Sequence, residues 1–111
     1  VAGLFDEPQS GLFASVALPR PMRVEYTYRV PARLAETVRP GMRVRVPFAR
    51  RREIAVVVAT SETTDVDAAL LKDVEAVLDP EPVVDADLLE LTRWMADEYA
   101  CSWGEALAAA L

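Results

Sequence analysis

The stretch "PGMRVRVPFARRREIAVVVAT", Pro40 to Thr60, decides the fold. Met42, Val44 and Val46 alternate with Arg43 and Arg45, the period of a strand that packs one face and aims its arginines at solvent. The "RPG" at 39–41 sets the turn before it, with Pro40 fixing φ and Gly41 free to take φ > 0. Beyond the arginines, "REIAVVVAT" at 52–60 is β-rich and apolar enough for a central strand, which leaves the tri-arginine Arg50 to Arg52 in the hairpin between the two.

Upstream, "VEYTYRV" at 24–30 alternates Val24, Tyr26, Tyr28 and Val30 with Glu25, Thr27 and Arg29, a half-buried strand. "FASVAL" at 13–18 reads as a first strand, joined to it by the extended connector "LPRPMR", because each proline disfavours helix at the preceding residue. Residues 1–12 mix Gly, Pro and acids without periodicity and are expected to form a flexible N-terminal arm. Four short strands with tight turns predict a small twisted, β-barrel-like sheet of four to six strands.

Downstream, residues 65–79 fit both helical and alternating spacing and predict a helical turn followed by a strand near 72–78. After the "DPEP" break, Asp85 is placed to cap a helix running to about Tyr99, with Leu88, Leu91, Met95 and Tyr99 along one stripe. Ser102 and Glu105 have capping-box spacing for a last short helix. The class is therefore α+β: a β-rich part at 13–79 and a helical part at 85–111. The last helix stops abruptly at Leu111, as a fragment of a larger protein would.

Charge is informative by segment. Residues 14–52 hold ten arginines against Glu25 and Glu36, a local +8, whereas residues 53–111 hold Lys72 and Arg93 against fourteen acids, a local −12. The net charge of −6 hides both halves. At physiological salt the acidic half is screened within about 8 Å, so a basic face is able to meet an anion.

The chain has no histidine and one cysteine, which excludes histidine-based triads, histidine zinc ligands and an internal disulfide. It contains no phosphate loop, GxGxxG or CxxC. No catalytic set is present, and a stand-alone enzyme is not expected. Asp73, Glu75, Asp79 and Glu81 are expected on a solvated surface, and Cys101 as a partly or fully buried structural thiol. The apolar runs are too short for a membrane helix, and a cytoplasmic protein is expected.

Nucleic-acid binding fits better. Arg43, Arg45 and Arg50 to Arg52, with Arg20, Arg23 and Arg29 on neighbouring strands, would form a basic face interleaved with Tyr26, Tyr28 and Phe48. Guanidinium groups suit phosphate and aromatic faces stack bases. The same residues also suit a bland arrangement, with arginines guarding an edge hairpin against aggregation and both tyrosines in the core.

The ordered pieces "YRVP" (28–31), "PGMRVRVPF" (40–48), "LK" with "VLDPEPV" (71–83), and "MADEY" with "GEAL" (95–107) resemble the N-terminal 3′-DNA-end-binding domain of the bacterial replication-restart helicase family PriA, primosomal protein N′. The resemblance covers residues 14–111. It implies a module without catalytic chemistry that holds the terminal nucleotide of a nascent leading strand, with its free 3′-hydroxyl, at a stalled or repaired fork. It also implies a parent ATP-dependent 3′ to 5′ helicase whose ATP, magnesium and zinc bind elsewhere, so no cofactor is expected in this chain. Implied partners are forked DNA, the parent's other domains and restart primosome proteins.

The implied pocket falls on Tyr26, Thr27, Ala49 and Lys72, with Arg50, Arg51 and Arg52 as backbone contacts. Thr27 stands where the family pattern has a carboxylate and Ala49 where it has a glycine. Those departures leave a second reading open: a protein-protein docking module of the restart primosome with weakened or lost 3′-end recognition.

Overall fold

The computed structural model describes residues 9–21 and 24–111. The apolar run at 55–58 is central, as its composition predicts: β4 (Arg51–Thr64) lies in the middle of a five-stranded antiparallel sheet. It pairs on one side with β1 (Gln9–Ala17) and on the other with β3 (Arg43–Phe48). The short β2 (Tyr26–Arg29) is added outside β1, and the two-residue β5 (Ala76–Val77) outside β3. The first strand thus begins at Gln9, inside the expected arm, and residues 1–8 lie outside the described residues.

Alternation along β4 explains why both of its faces are apolar. Ala55 and Val57 join Ala14, Val16, Tyr28, Val44 and Val46 in one core cluster, while Val56 and Val58 turn the other way, to Ala17, Val84, Leu89 and Leu107 beneath the helices. Val16, Val44, Val46 and Val57 are fully buried, each worth roughly 1.5–3 kcal/mol relative to exposure. One strand serves two cores.

The sheet curls but does not close. The gap between β2 and β3 is spanned by residues 72–78: the Arg29 amide donates to the Lys72 carbonyl (2.8 Å) and the Val74 amide to the Arg29 carbonyl (2.9 Å). On the far side, the Glu75 and Leu78 amides donate to the carbonyls of Arg45 and Arg43, both at 2.9 Å. A single parallel bridge, Arg29 to Asp73, replaces the ladder a closed barrel requires.

The helices follow their predicted caps. The Asp85 carboxylate accepts from the Leu88 amide (2.8 Å) at the start of α1 (Ala86–Glu98). Ser102 and Glu105 exchange two 3.0 Å bonds at the start of α2 (Trp103–Ala110). The buried stripe of α1 is Leu89, Thr92 and Ala96, not the one predicted, since Leu91 and Tyr99 are exposed. Thr92 explains the shift: its hydroxyl donates back to the helix carbonyls of Leu88 and Leu89 while accepting from the Trp103 indole (3.0 Å), so a polar residue sits at the contact between the helices.

Asp79 also departs from its reading as a solvated acid. It is buried, and its carboxylate accepts from the Arg43 amide (2.9 Å), Nε (3.1 Å) and Nη2 (2.8 Å). Arg43 is accordingly a partner of the segment beyond β5 rather than a free strand cation. The guanidinium holds the Asp79 carboxyl below the ordinary aspartate range. Cys101 is partly buried and free, as expected.

Candidate nucleic-acid interface

At one end of the curled sheet, three separate segments meet around a cleft of about 170 Å³. β2 contributes Tyr26, Thr27 and Tyr28; the β3–β4 hairpin contributes Pro47, Phe48 and Ala49; the approach to the 72–78 span contributes Leu70 and Lys72. The volume is small beside the roughly 300–1,000 Å³ of clefts that take drug-sized ligands, and suits part of one nucleotide.

Each wall has a physical anchor. Tyr26 and Tyr28 lie opposite Val16 and Ala14 across the β1–β2 ladder, so both point to the core side of the sheet. Tyr28 is buried, and its hydroxyl donates to the Pro47 carbonyl at 2.6 Å, tying the edge strand to the hairpin. Burial, and then the neighbouring Tyr26, raise the Tyr28 hydroxyl above the ordinary tyrosine pKa. Tyr26 is half-buried, with its ring at 5.2 Å and 68° to Phe48, an edge-to-face pair. The Arg20 guanidinium lies 5.8 Å from the Phe48 ring and pairs with Glu53.

Ala49 and Arg50 form a two-residue hairpin loop between the paired Phe48 and Arg51. Ala49 has φ of 55°, and loops with positive φ at the first central position favour glycine there. The methyl group therefore has a conformational cost of order 1 kcal/mol. Lys72 is exposed, and its backbone is held by the Arg29 amide. Among the described residues its ammonium makes no ion pair.

The four pocket positions read from the sequence therefore come together. The tri-arginine does not act as a unit. Arg50 is in the loop; Arg51, opposite Phe48, faces the cleft side; Arg52, opposite Pro47, faces the other way and gives its Nε to Glu75 at 2.9 Å. Other basic residues are also committed: Arg29 to Asp73 (3.0 Å), Arg43 to Asp79 (2.8 Å), and Arg33 to the Glu75 carbonyl (2.8 Å). Arg23 lies outside the described residues. Leu70, 73% exposed at the mouth, was not singled out by the sequence, where nothing distinguishes it from the neighbouring Leu71 that packs inside.

Residues 15–111 match the family described as the 3′DNA-binding domain (3′BD) of PriA. The chain belongs to the PriA 3′BD family. It is 36% identical over 73 residues to the replication restart protein PriA of Bacillus subtilis, covering 66% of this chain and 9% of that protein. It is 34% identical over 93 residues to the replication restart protein PriA of Treponema pallidum, covering 80% of this chain and 14% of the relative. With that of Buchnera aphidicola it shares 29% over 93 residues, 84% of this chain and 12% of the relative. The chain thus spans about a tenth of the length of these relatives. As a 3′BD it is a DNA-binding domain, and DNA is its partner. Among the described residues no helix is long and apolar enough to cross a membrane.

Proposed function

We propose that this domain recognises the 3′ end of a nascent leading strand at a stalled or repaired fork and positions a cytoplasmic replication-restart helicase there. The observation that carries the reading is the convergence of Tyr26, Thr27, Ala49 and Lys72, distant in sequence, on one cleft that holds no more than part of a nucleotide. A strand has one nucleotide free of a 3′ neighbour, and a cleft of this size takes that one without having to accommodate a following nucleotide.

The chemistry follows from the walls. Tyr26 and Phe48 supply aromatic surface for the terminal base, Lys72 supplies a cation for a phosphate, and Arg50 and Arg51 extend the positive surface toward the preceding phosphates. The domain contributes binding and orientation, while ATP hydrolysis and unwinding fall to the rest of the parent helicase, with its ATP, magnesium and zinc sites.

Fluorescence anisotropy on one single-stranded sequence, linear and covalently circular, tests this. Linear DNA binds more tightly, and Tyr26→Ala abolishes the difference at a cost of about 1–3 kcal/mol. Equal binding of line and circle removes end recognition.

A second reading has the substitutions Thr27 and Ala49 in its favour: docking to restart primosome proteins or to other domains of the parent, with end recognition weakened. On that reading neither DNA form binds measurably, and a partner protein does.

A further inference from the structure

We propose that the cleft accepts a 3′-phosphate at least as well as a 3′-hydroxyl, so that the domain receives blocked DNA ends as well as extendable ones. The inference rests on the reading that the cleft takes the terminal nucleotide, and it concerns the group that nucleotide carries.

A negative charge beside the 3′ position would discriminate against a terminal phosphate, because a phosphate monoester brings an extra charge of about −1.5 to −2 that a hydroxyl lacks. The cleft supplies none. Its eight lining residues include one cation, Lys72, and no carboxylate. The acids closest to it in sequence or across the hairpin are each engaged by a guanidinium: Glu25 by Arg93 (3.9 Å), Asp73 by Arg29 (3.0 Å), Glu75 by Arg52 (2.9 Å) and Glu53 by Arg20. Arg51, on the cleft side of the hairpin, adds a second positive charge to the same face.

The neutral groups do not discriminate either. Thr27 lines the cleft without a charge, so it does not repel a phosphate. The Lys72 ammonium has three donors and, among the described residues, pairs with no acid, and a phosphate presents the matching acceptors. The balance of charge and hydrogen bonding therefore favours the phosphorylated end.

The test is anisotropy with one single-stranded sequence in three forms, ending in 3′-hydroxyl, ending in 3′-phosphate, and closed into a circle, against the unaltered chain, Thr27→Asp and Lys72→Gln. The phosphate end is expected to bind at least as tightly as the hydroxyl end, and the circle more weakly than both. Thr27→Asp adds a negative charge to a residue of the cleft lining and is expected to weaken the phosphate-ended form about tenfold more than the hydroxyl-ended one. Lys72→Gln, at an exposed position that folding does not need, lowers affinity for the phosphate end more than for the hydroxyl end.

Tighter binding of the hydroxyl end by the unaltered chain, with the circle still weak, overturns the proposal and leaves end recognition intact. A circle that binds like the linear forms overturns end recognition itself, and this proposal with it.

Discussion

The Tyr28 hydroxyl lies 2.6 Å from the Pro47 carbonyl and donates to it, joining edge strand β2 to β3, three positions away in the order of the sheet. With the backbone bonds of residues 72–78 to Arg29, Arg43 and Arg45, this bond holds the two walls of the cleft together. Tyr28→Phe is expected to cost about 0.5–1.5 kcal/mol in urea unfolding and to weaken DNA binding. The folded tyrosine ionises at higher pH than the unfolded one, so its contribution is complete below the unfolded pKa of about 10 and declines as pH rises above it. The difference between the two proteins in urea midpoint should shrink in that alkaline range and remain constant below it.

Asp79 and Arg43 make the corresponding bond at the helical side. Replacing Asp79 with Asn breaks charge-assisted bonds worth about 1.5–3 kcal/mol. Because the folded Asp79 pKa is depressed, its contribution is present above the unfolded value of about 3.9 and lost as pH falls through the folded one. Urea midpoints of the two proteins should therefore differ at neutral pH and converge in acid.

The split of the arginines predicts unequal salt effects. Arg51→Gln should reduce the slope of log affinity against log salt by about 0.7, one single-strand phosphate contact. Arg52→Gln should leave the slope unchanged and cost stability by no more than about 1 kcal/mol, the range of an exposed ion pair. A reduced slope for Arg52→Gln would place that residue in the interface.

Ala49→Gly relieves the positive φ at the loop and clears the methyl from the cleft wall. The two folded-state gains oppose the extra entropy of an unfolded glycine, so stability should shift by less than about 1 kcal/mol. Affinity for a DNA end, measured by anisotropy, should rise.

The hairpin, the central strand and both helix caps were legible in the sequence because each rests on local chemistry: alternation at 42–46, the apolar run after Arg52, Asp85 before Leu88, Ser102 before Glu105. Asp79 was not, since its burial depends on Arg43, thirty-six residues away, reaching it across β5. The stripe of α1 failed for a similar reason, because spacing alone does not reveal that Thr92 shares a hydroxyl with Trp103. The pocket positions came through family resemblance; their convergence needed the curl that brings residues 72–78 against both β2 and β3. Pairing also separated Arg51 from Arg52, which no composition count distinguishes.

The most direct measurement is a backbone-amide NMR titration of the labelled chain with a short single-stranded oligonucleotide bearing a free 3′ end. The account predicts shifts concentrated at residues 26–28, 48–51 and 70–72, absent when the same sequence is supplied as a circle. Shifts confined to α1 and α2, or the same shifts with the circle, would contradict it.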